Sequence, residues 1–345
     1  MIKQLIKLIA VLLLIASFAG AWYWNEYNVF LQTPLSFSDD AERAEQTFTI
    51  HKGDSIKKVA RKLQEQHFLE HPQYFWLYTR LSKKAEKIKA GEYTLTSGMT
   101  LEELVNRFVS GKVNQYALTI VEGWTVKDAL AQINKDPNLL HTLDKEPVKE
   151  VLKKLPELLN SPYKNFEGLI YPDTYNFPRG TTDLQFIERA HKQMQRVLEQ
   201  EWQQREKNLP LITPYEALIL ASIVEKESGV SSERSKIAGV FIRRIKKKMR
   251  LQSDPTIIYG MGDDYKGNIR RKDINKKTAY NTYQIDGLPP TPIAIPGREA
   301  IHAVLHPEKG RSLYFVADGS GGHVFTNNLK AHNKAVRKYI LKKKN

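Results

Sequence analysis

The sequence predicts an α+β protein with an N-terminal transmembrane helix, a small α+β module and a larger α+β domain. Three observations predict it. Residues 8–24, LIAVLLLIASFAGAWYW, carry no charge. A unit of β-like run, glycine turn and capped helix then recurs three times. The C-terminal third changes texture, with short β-like runs set among Gly, Pro, Asn and Tyr.

Extended back to Leu5, the apolar run reaches the roughly 20 residues that span a bilayer. Lys3 and Lys7 precede it, and NEYNVFLQTPLSFSDDAERAEQ after it is acidic, with Arg43 its one basic residue. The positive-inside rule then puts the N-terminus in the cytoplasm and the body outside. Trp22, Tyr23 and Trp24 suit an interfacial aromatic belt. Ala19-Gly20-Ala21 has the small-x-small pattern of a signal-peptide cleavage site. Apolar and aromatic residues run on past it, which favours an uncleaved anchor over residues 1–24. Residues 25–45, polar and acidic with Pro34 and several serines, read as a linker.

The repeated unit reads HKGDSIKKVARKL, TSGMTLEELVNRF and VEGWTVKDALAQI. Each has a glycine, a variable residue and then Ser55, Thr100 or Thr125 as helix cap. Apolar residues follow at +1, +4 and +8: Ile56, Val59, Leu63; Leu101, Leu104, Phe108; Val126, Ala129, Ile133. That spacing buries one stripe of each helix. The runs TFTI, EYTL and ALTI stand before them. Spacings of 45 and 25 residues exclude a regular solenoid. The first unit, with a second helix near PQYFWLYTRL and a closing strand at GEYTL, resembles a LysM-type wall-binding module over residues 46–115.

Residues 116–345 form the larger domain. Helical periodicity runs through DKEPVKEVLKKLPELL and DLQFIERAHKQMQRVLEQEWQQREK, with an ordered loop and strand at NFEGLIYPDTYNFPRG between them. In the last third, LQSDPTIIYG, TAYNTYQIDGLPPTPIAIPG and LYFVADGSGGHVFTNN read as short β-like runs separated by turns, the kind of loop that builds a cleft.

At 345 residues the chain suffices for two folded domains, and 41% hydrophobic residues supply a core. The absence of cysteine excludes disulfides, thiolate catalysis and cysteine-ligated zinc. A net charge of +15 favours anionic partners. An exported body argues against nucleic acid and leaves a membrane surface or an acidic polymer.

The stretch TPYEALILASIVEKES, residues 213–228, carries the chemistry. Thr213 as cap, Pro214 in the first turn and Glu216 three residues on fix the helix start. Leu218, Ala221, Ser222 and Glu225 fall on one face, and Glu227 lies about 200° further round. A carboxylate on an apolar face loses hydration and favours its protonated form. Small neighbours leave room for a ligand, so Glu225 reads as a proton donor. The plainer alternative is a helix-end carboxylate paired with Lys or Arg.

Together ASIVEKES, GVFIRRI, MRLQSDPTIIYG, TAYNTY, GLPPTPIAIPG and LYFVADGSGGHVFTNNLKAHN resemble the YceG-like family of membrane-anchored endolytic murein transglycosylases. The likeness runs from the anchor to about residue 340, and between residues 135 and 210 it rests on EGLIYPDTY alone. It implies a bacterial inner-membrane, single-pass protein with a periplasmic or extracytoplasmic catalytic domain. It also implies nonhydrolytic cleavage of the bond between N-acetylmuramic acid and N-acetylglucosamine, giving 1,6-anhydro ends that terminate growing glycan strands. The resemblance makes the first glutamate of VEKE, Glu225, catalytic. Peptidoglycan strands are the implied partner, peptidoglycan synthases a further one, and no cofactor is implied.

Gln252, Asp254, Tyr280, Asn281, Tyr283, Asn328 and His332 are the expected substrate-binding residues. Amides and phenols suit the acetamido and hydroxyl groups of aminosugars. Asp254 is the partner Glu225 would need in a two-carboxylate muramidase, and a noncatalytic wall-binding scaffold is the other alternative. No metal is expected: His302 and His306 in EAIHAVLHP share a helix face but lack the glutamate of a zincin motif. DGSGG, residues 318–322, has too few carboxylates for a calcium loop and reads as a turn.

Overall fold

A computed structural model describes residues 2–35, 45–143, 145–227 and 229–341. The chain divides into two compact units, Met1–Tyr116 with Phe177–Gly180, and Ala117–Asn176 with Thr181–Asn345.

The first unit begins with α1 (Ile2–Gln32), among the described residues the one helix long and apolar enough to cross a membrane. It runs eight residues past the end of the expected anchor, since 25–32 continue the helix where the sequence suggests a linker. The reason lies in its distal end. Tyr27 is buried, and Phe30 and Leu31 pack on the module core, so tertiary contact holds a polar sequence helical. Residues 36–44 of the expected linker lie outside the described residues.

The module follows as β1 (Glu45–Ile50), α2 (Ile56–Glu65), α3 (Pro72–Leu81) and β2 (Gly91–Thr96). β1 and β2 pair antiparallel from Glu45 opposite Thr96 to Ile50 opposite Gly91. α4 (Leu101–Ser110) closes the core, where Phe48, Leu63, Phe75, Tyr93 and Phe108 are fully buried. The cap reading holds at all three sites. Ser55 Oγ accepts from Lys58 N, and Thr100 and Thr125 form capping boxes with Glu103 and Asp128.

β3 (Gln115–Thr119) leads to α5 (Val126–Ile133) and α6 (Val148–Leu158), then β4 (Thr174–Pro178), which pairs with β3. α7 (Asp183–Gln203) starts at a further capping box, Thr182 with Gln185. After it come α8 (Pro214–Glu227), α9 (Arg234–Lys246), α10 (Asp254–Met261), α11 (Arg271–Asn275) and α12 (Arg298–Leu305). β5 (Tyr314–Ala317) and β6 (His323–Thr326) form an antiparallel hairpin closed by the expected DGSGG turn, and α13 (Leu329–Val336) follows.

α8 is the hub of the second unit. Every residue from Ala217 to Val224 is buried, with α7, α9, α10 and α12 packed around it. A helix apolar on all sides belongs at the centre of a domain.

One expected β-like run is helical. Residues 254–260 of LQSDPTIIYG lie in α10, begun by Asp254-Pro255 and by Thr256 Oγ1, which donates to Ser253 O at 2.6 Å. Proline in the first helical turn loses no hydrogen bond, which favours the helix. TAYNTYQIDGLPPTPIAIPG holds turns instead of strands among the described residues.

Candidate active site

The start of α8 is fixed much as its sequence suggests. Thr213 Oγ1 accepts from Glu216 N at 3.2 Å, while the Glu216 carboxylate reaches back one residue further, to Ile212 N at 2.5 Å. The end of the helix holds the surprise, because its two glutamates enter different surroundings.

Glu225 is built into an ion pair. Its side chain is 6% exposed, with Oε1 3.1 Å from Arg234 Nη2. Oε2 accepts from Gly297 N at 3.0 Å. Arg234 also meets Glu299 and lies 3.7 Å from Glu122. The room expected beside Ala221 and Ser222 is filled. Both are fully buried, and Ser222 Oγ accepts from Ile293 N at 2.9 Å. The segment 293–297 occupies the face on which a ligand was expected, and the paired-carboxylate reading describes Glu225.

Glu227, round the helix, is half-buried and accepts a 2.6 Å hydrogen bond from Ser253 Oγ. Burial pushes its carboxyl from the ordinary 4.5 up to about 7. The neighbouring Asp254 charge adds to the rise, while the Ser253 bond and the nearby His323 and Arg244 side chains oppose it. A carboxylic acid that keeps its proton near neutral pH beside an ionised one is the arrangement of a general acid.

Four of the expected binding residues gather on this side. Asp254 is exposed at the start of α10 and accepts from Tyr283 Oη at 2.7 Å. Gln252 sits at φ 53°, a left-handed conformation that strains a side-chain-bearing residue. Its Oε1 accepts from Arg244 Nη1 at 3.3 Å. Arg244 is 7% exposed and has no carboxylate partner among the described residues; it donates to the carbonyls of Leu313 and Leu251, both at 2.7 Å. Its guanidinium lies over the Tyr314 ring, and Tyr314 stacks on His332 with centroids 5.1 Å apart. The His332 Nδ1 atom is buried without a hydrogen-bond partner in the protein.

The other three serve the scaffold. Asn328 caps α13 through its Oδ1, which accepts from Ala331 N at 2.9 Å. Asn281 is 1% exposed and spends its amide on the carbonyls of Asp273, Ile274 and Lys276. Tyr280 bonds Thr291 at 3.0 Å and sets its edge against Tyr259, whose hydroxyl donates to the buried Glu167.

Sequence reasoning missed Ser253, Arg244, Tyr314 and the clamp on His323, whose Nδ1 lies 2.7 Å from Glu233 Oε2. It set Glu227 aside because that residue leaves the Ser222 face. Helical spacing separates two faces without saying what each of them meets. A cavity of about 340 Å³ lined by Ile257, Met261, Arg270 and Asn281 includes neither glutamate. His302 stacks on His306 at 4.3 Å, and its Nδ1 lies 2.8 Å from Glu201, which also pairs with Arg298 at 2.7 Å.

The YceG-like family model matches residues 48–338. An endolytic murein transglycosylase of Bacillus subtilis (strain 168) is 34% identical over 308 residues, covering 85% of this chain and 84% of that protein. One from Streptococcus pneumoniae serotype 2 (strain D39) is 29% identical, covering 95% of this chain and 64% of its own length. A crystal structure of a YceG-like protein from Listeria monocytogenes aligns with a TM-score of 0.55 at 30% identity, over 85% of this chain and 99% of that one. The match spans both units and takes in both glutamates, Arg244, Asp254 and the β5–β6 hairpin: this chain belongs to the YceG-like family.

Proposed function

We propose that the protein is an endolytic murein transglycosylase and that Glu227, in place of Glu225, is its catalytic acid. The observation that carries the assignment is a half-buried carboxyl raised to about 7, bonded by Ser253 and flanked by exposed Asp254 and Gln252.

The reaction follows from one titrating group. Protonated Glu227 gives its proton to the glycosidic oxygen as the C1–O bond breaks and positive charge develops on the muramyl ring. The C6 hydroxyl of that sugar then attacks C1, and the Glu227 carboxylate takes up the hydroxyl proton. One bond to C1 breaks, one forms, and the enzyme regains its starting state without consuming water. Because the nucleophile is tethered to its target, the entropy of bringing it there is already lost, an advantage of roughly 7 kcal/mol or more in the best cases.

Asp254, steadied by the Tyr283 hydroxyl, supplies the negative charge that favours both the protonated acid and the oxocarbenium-like centre. Gln252 and His332, held by Arg244 and Tyr314, are the groups offered to the sugar substituents. The strand–helix–helix–strand module supports reading the first unit as a glycan-binding LysM-like element. The apolar α1 supports membrane anchoring, with the body outside the cytoplasm by the charge asymmetry of its flanks. Peptidoglycan synthases, which extend the strands that this activity ends, are the partner class the role implies.

The test is digestion of isolated glycan strands by purified protein, read by mass spectrometry. Cleavage without gain of water supports the proposal. Gain of one water per cut makes the protein a two-carboxylate hydrolase using Asp254, and uncut strands make it a scaffold.

A further inference from the structure

We propose that the first module is held at the lipid headgroup layer by the membrane helix itself, so that its surface beside α1 lies within reach of phospholipid headgroups. The proposal goes beyond the cleavage reaction and does not depend on it. It needs only that α1 spans a bilayer.

The uncharged run ends at Trp22-Tyr23-Trp24, residues that settle at the membrane–water boundary. The helix does not end there. It continues to Gln32, and its first contacts with the module fall at the boundary itself. The Tyr23 ring lies 5.6 Å from that of Tyr74 on α3, Tyr27 lies 5.8 Å from it and Phe30 5.0 Å. Phe30 also meets His71, at the cap of α3, at 6.0 Å. A helix rises about 1.5 Å per residue, so Tyr27 stands only about 4.5 Å beyond Trp24. The polar interface on each side of the hydrocarbon core is about 5–7 Å deep. Tyr23 and Tyr27 therefore lie at headgroup height, and Phe30, about 9 Å beyond Trp24, just past it.

The grip is closed on both sides. Tyr27 is 3% exposed and Tyr74 is 6% exposed. Beyond α1 the chain stays fastened, for Leu35 N donates to Met99 O at 2.7 Å and Gly98 N donates to Leu35 O at 2.8 Å. A continuous helix followed by an anchored segment leaves no free hinge between the bilayer and the module across residues 24–35. Next to the gripped ring, His71 and Gln73 are exposed. Held within about 9 Å of Trp24 along the helix axis, that surface is next to the headgroup layer.

The chain has no cysteine, so a single introduced thiol can be labelled cleanly. Full-length Gln73→Cys, carrying a fluorophore and reconstituted in phosphatidylethanolamine–phosphatidylglycerol vesicles, is challenged with lipid bearing a nitroxide on its headgroup. Quenching is expected. It falls to the level given by quencher in solution when a flexible Gly-Ser spacer is inserted between Asn25 and Glu26, and it survives the same spacer between Thr33 and Pro34. Tyr74→Ala, which loosens the grip without changing chain length, lowers it. An unquenched label in the unmodified chain overturns the proposal, as does quenching indifferent to the first spacer or abolished by the second.

Discussion

Two carboxylates two residues apart on one helix carry different duties because their neighbours differ. Glu225 is spent on Arg234 and on the Gly297 amide. Replacing it by Gln is expected to lower stability by about 1.5–3 kcal/mol, the usual worth of a hydrogen bond to a charged group. Thermal unfolding would register the loss while strand cleavage persists. Glu227 titrates near neutrality instead. A reaction that needs its proton slows as pH rises through about 7. Asp254→Asn removes a like charge, so the alkaline limb of the rate profile is expected to move to lower pH. An unmoved limb in that variant removes Asp254 from the electrostatics of the acid. The same titration enters stability. A carboxyl raised in the folded state binds its proton more tightly than in the unfolded chain, so stability is lost as pH climbs from about 4.5 to about 7. Glu167, which burial also raises to about 7, contributes in the same direction. Glu227→Gln and Glu167→Gln are each expected to flatten the fall of unfolding free energy across that window, measured by denaturant titration.

Among the elements, those set by local chemistry were legible and those set by distant contact were not. The three cap residues and their buried stripes stand as the spacing implied, since a cap and its helix face are properties of about ten neighbouring residues. The DGSGG turn is equally local, with Asp318 accepting from Ser320 N at 2.7 Å. The linker reading of residues 25–32 and the β-like run expected in LQSDPTIIYG failed for one reason. Tyr74 holds residues 25–32 helical, and α10 packs on α8, and neither contact is visible in the short window that was read. The site divides likewise. Gln252, Asp254, Tyr283 and His332 were recognisable as polar residues in cleft-building loops, but Arg244, which ties two of those loops together, lies in what reads as an ordinary basic helix. Gly168 shows how tightly such loops are packed. It has φ 73°, and an added Cβ would lie 2.6 Å from Pro292 Cβ. Gly168→Ala is expected to cost about 2–4 kcal/mol through backbone strain and overpacking together, checked by thermal unfolding.

At the scale of the whole molecule, an anchor, a module and an acid-bearing domain are joined in one chain of net charge +15. α1 is long and apolar enough to cross a membrane and its distal end packs on the module core, so trimming it has graded effects. Removal of residues 1–20 is expected to leave the unfolding temperature of the module unchanged. Removal of residues 1–33 uncovers Tyr74 and lowers it, which calorimetry would resolve. Cutting should outlast either deletion on isolated strands, because Glu227, Ser253 and Asp254 belong to the second unit. The most direct trial of the account is the mass of the products made from purified glycan strands by the wild type, Glu227→Gln and Glu225→Gln proteins. Anhydro-ended fragments are expected from the wild type and from Glu225→Gln, and intact strands with a folded Glu227→Gln. Cleavage that survives Glu227→Gln, or is abolished in a folded Glu225→Gln, would contradict that expectation.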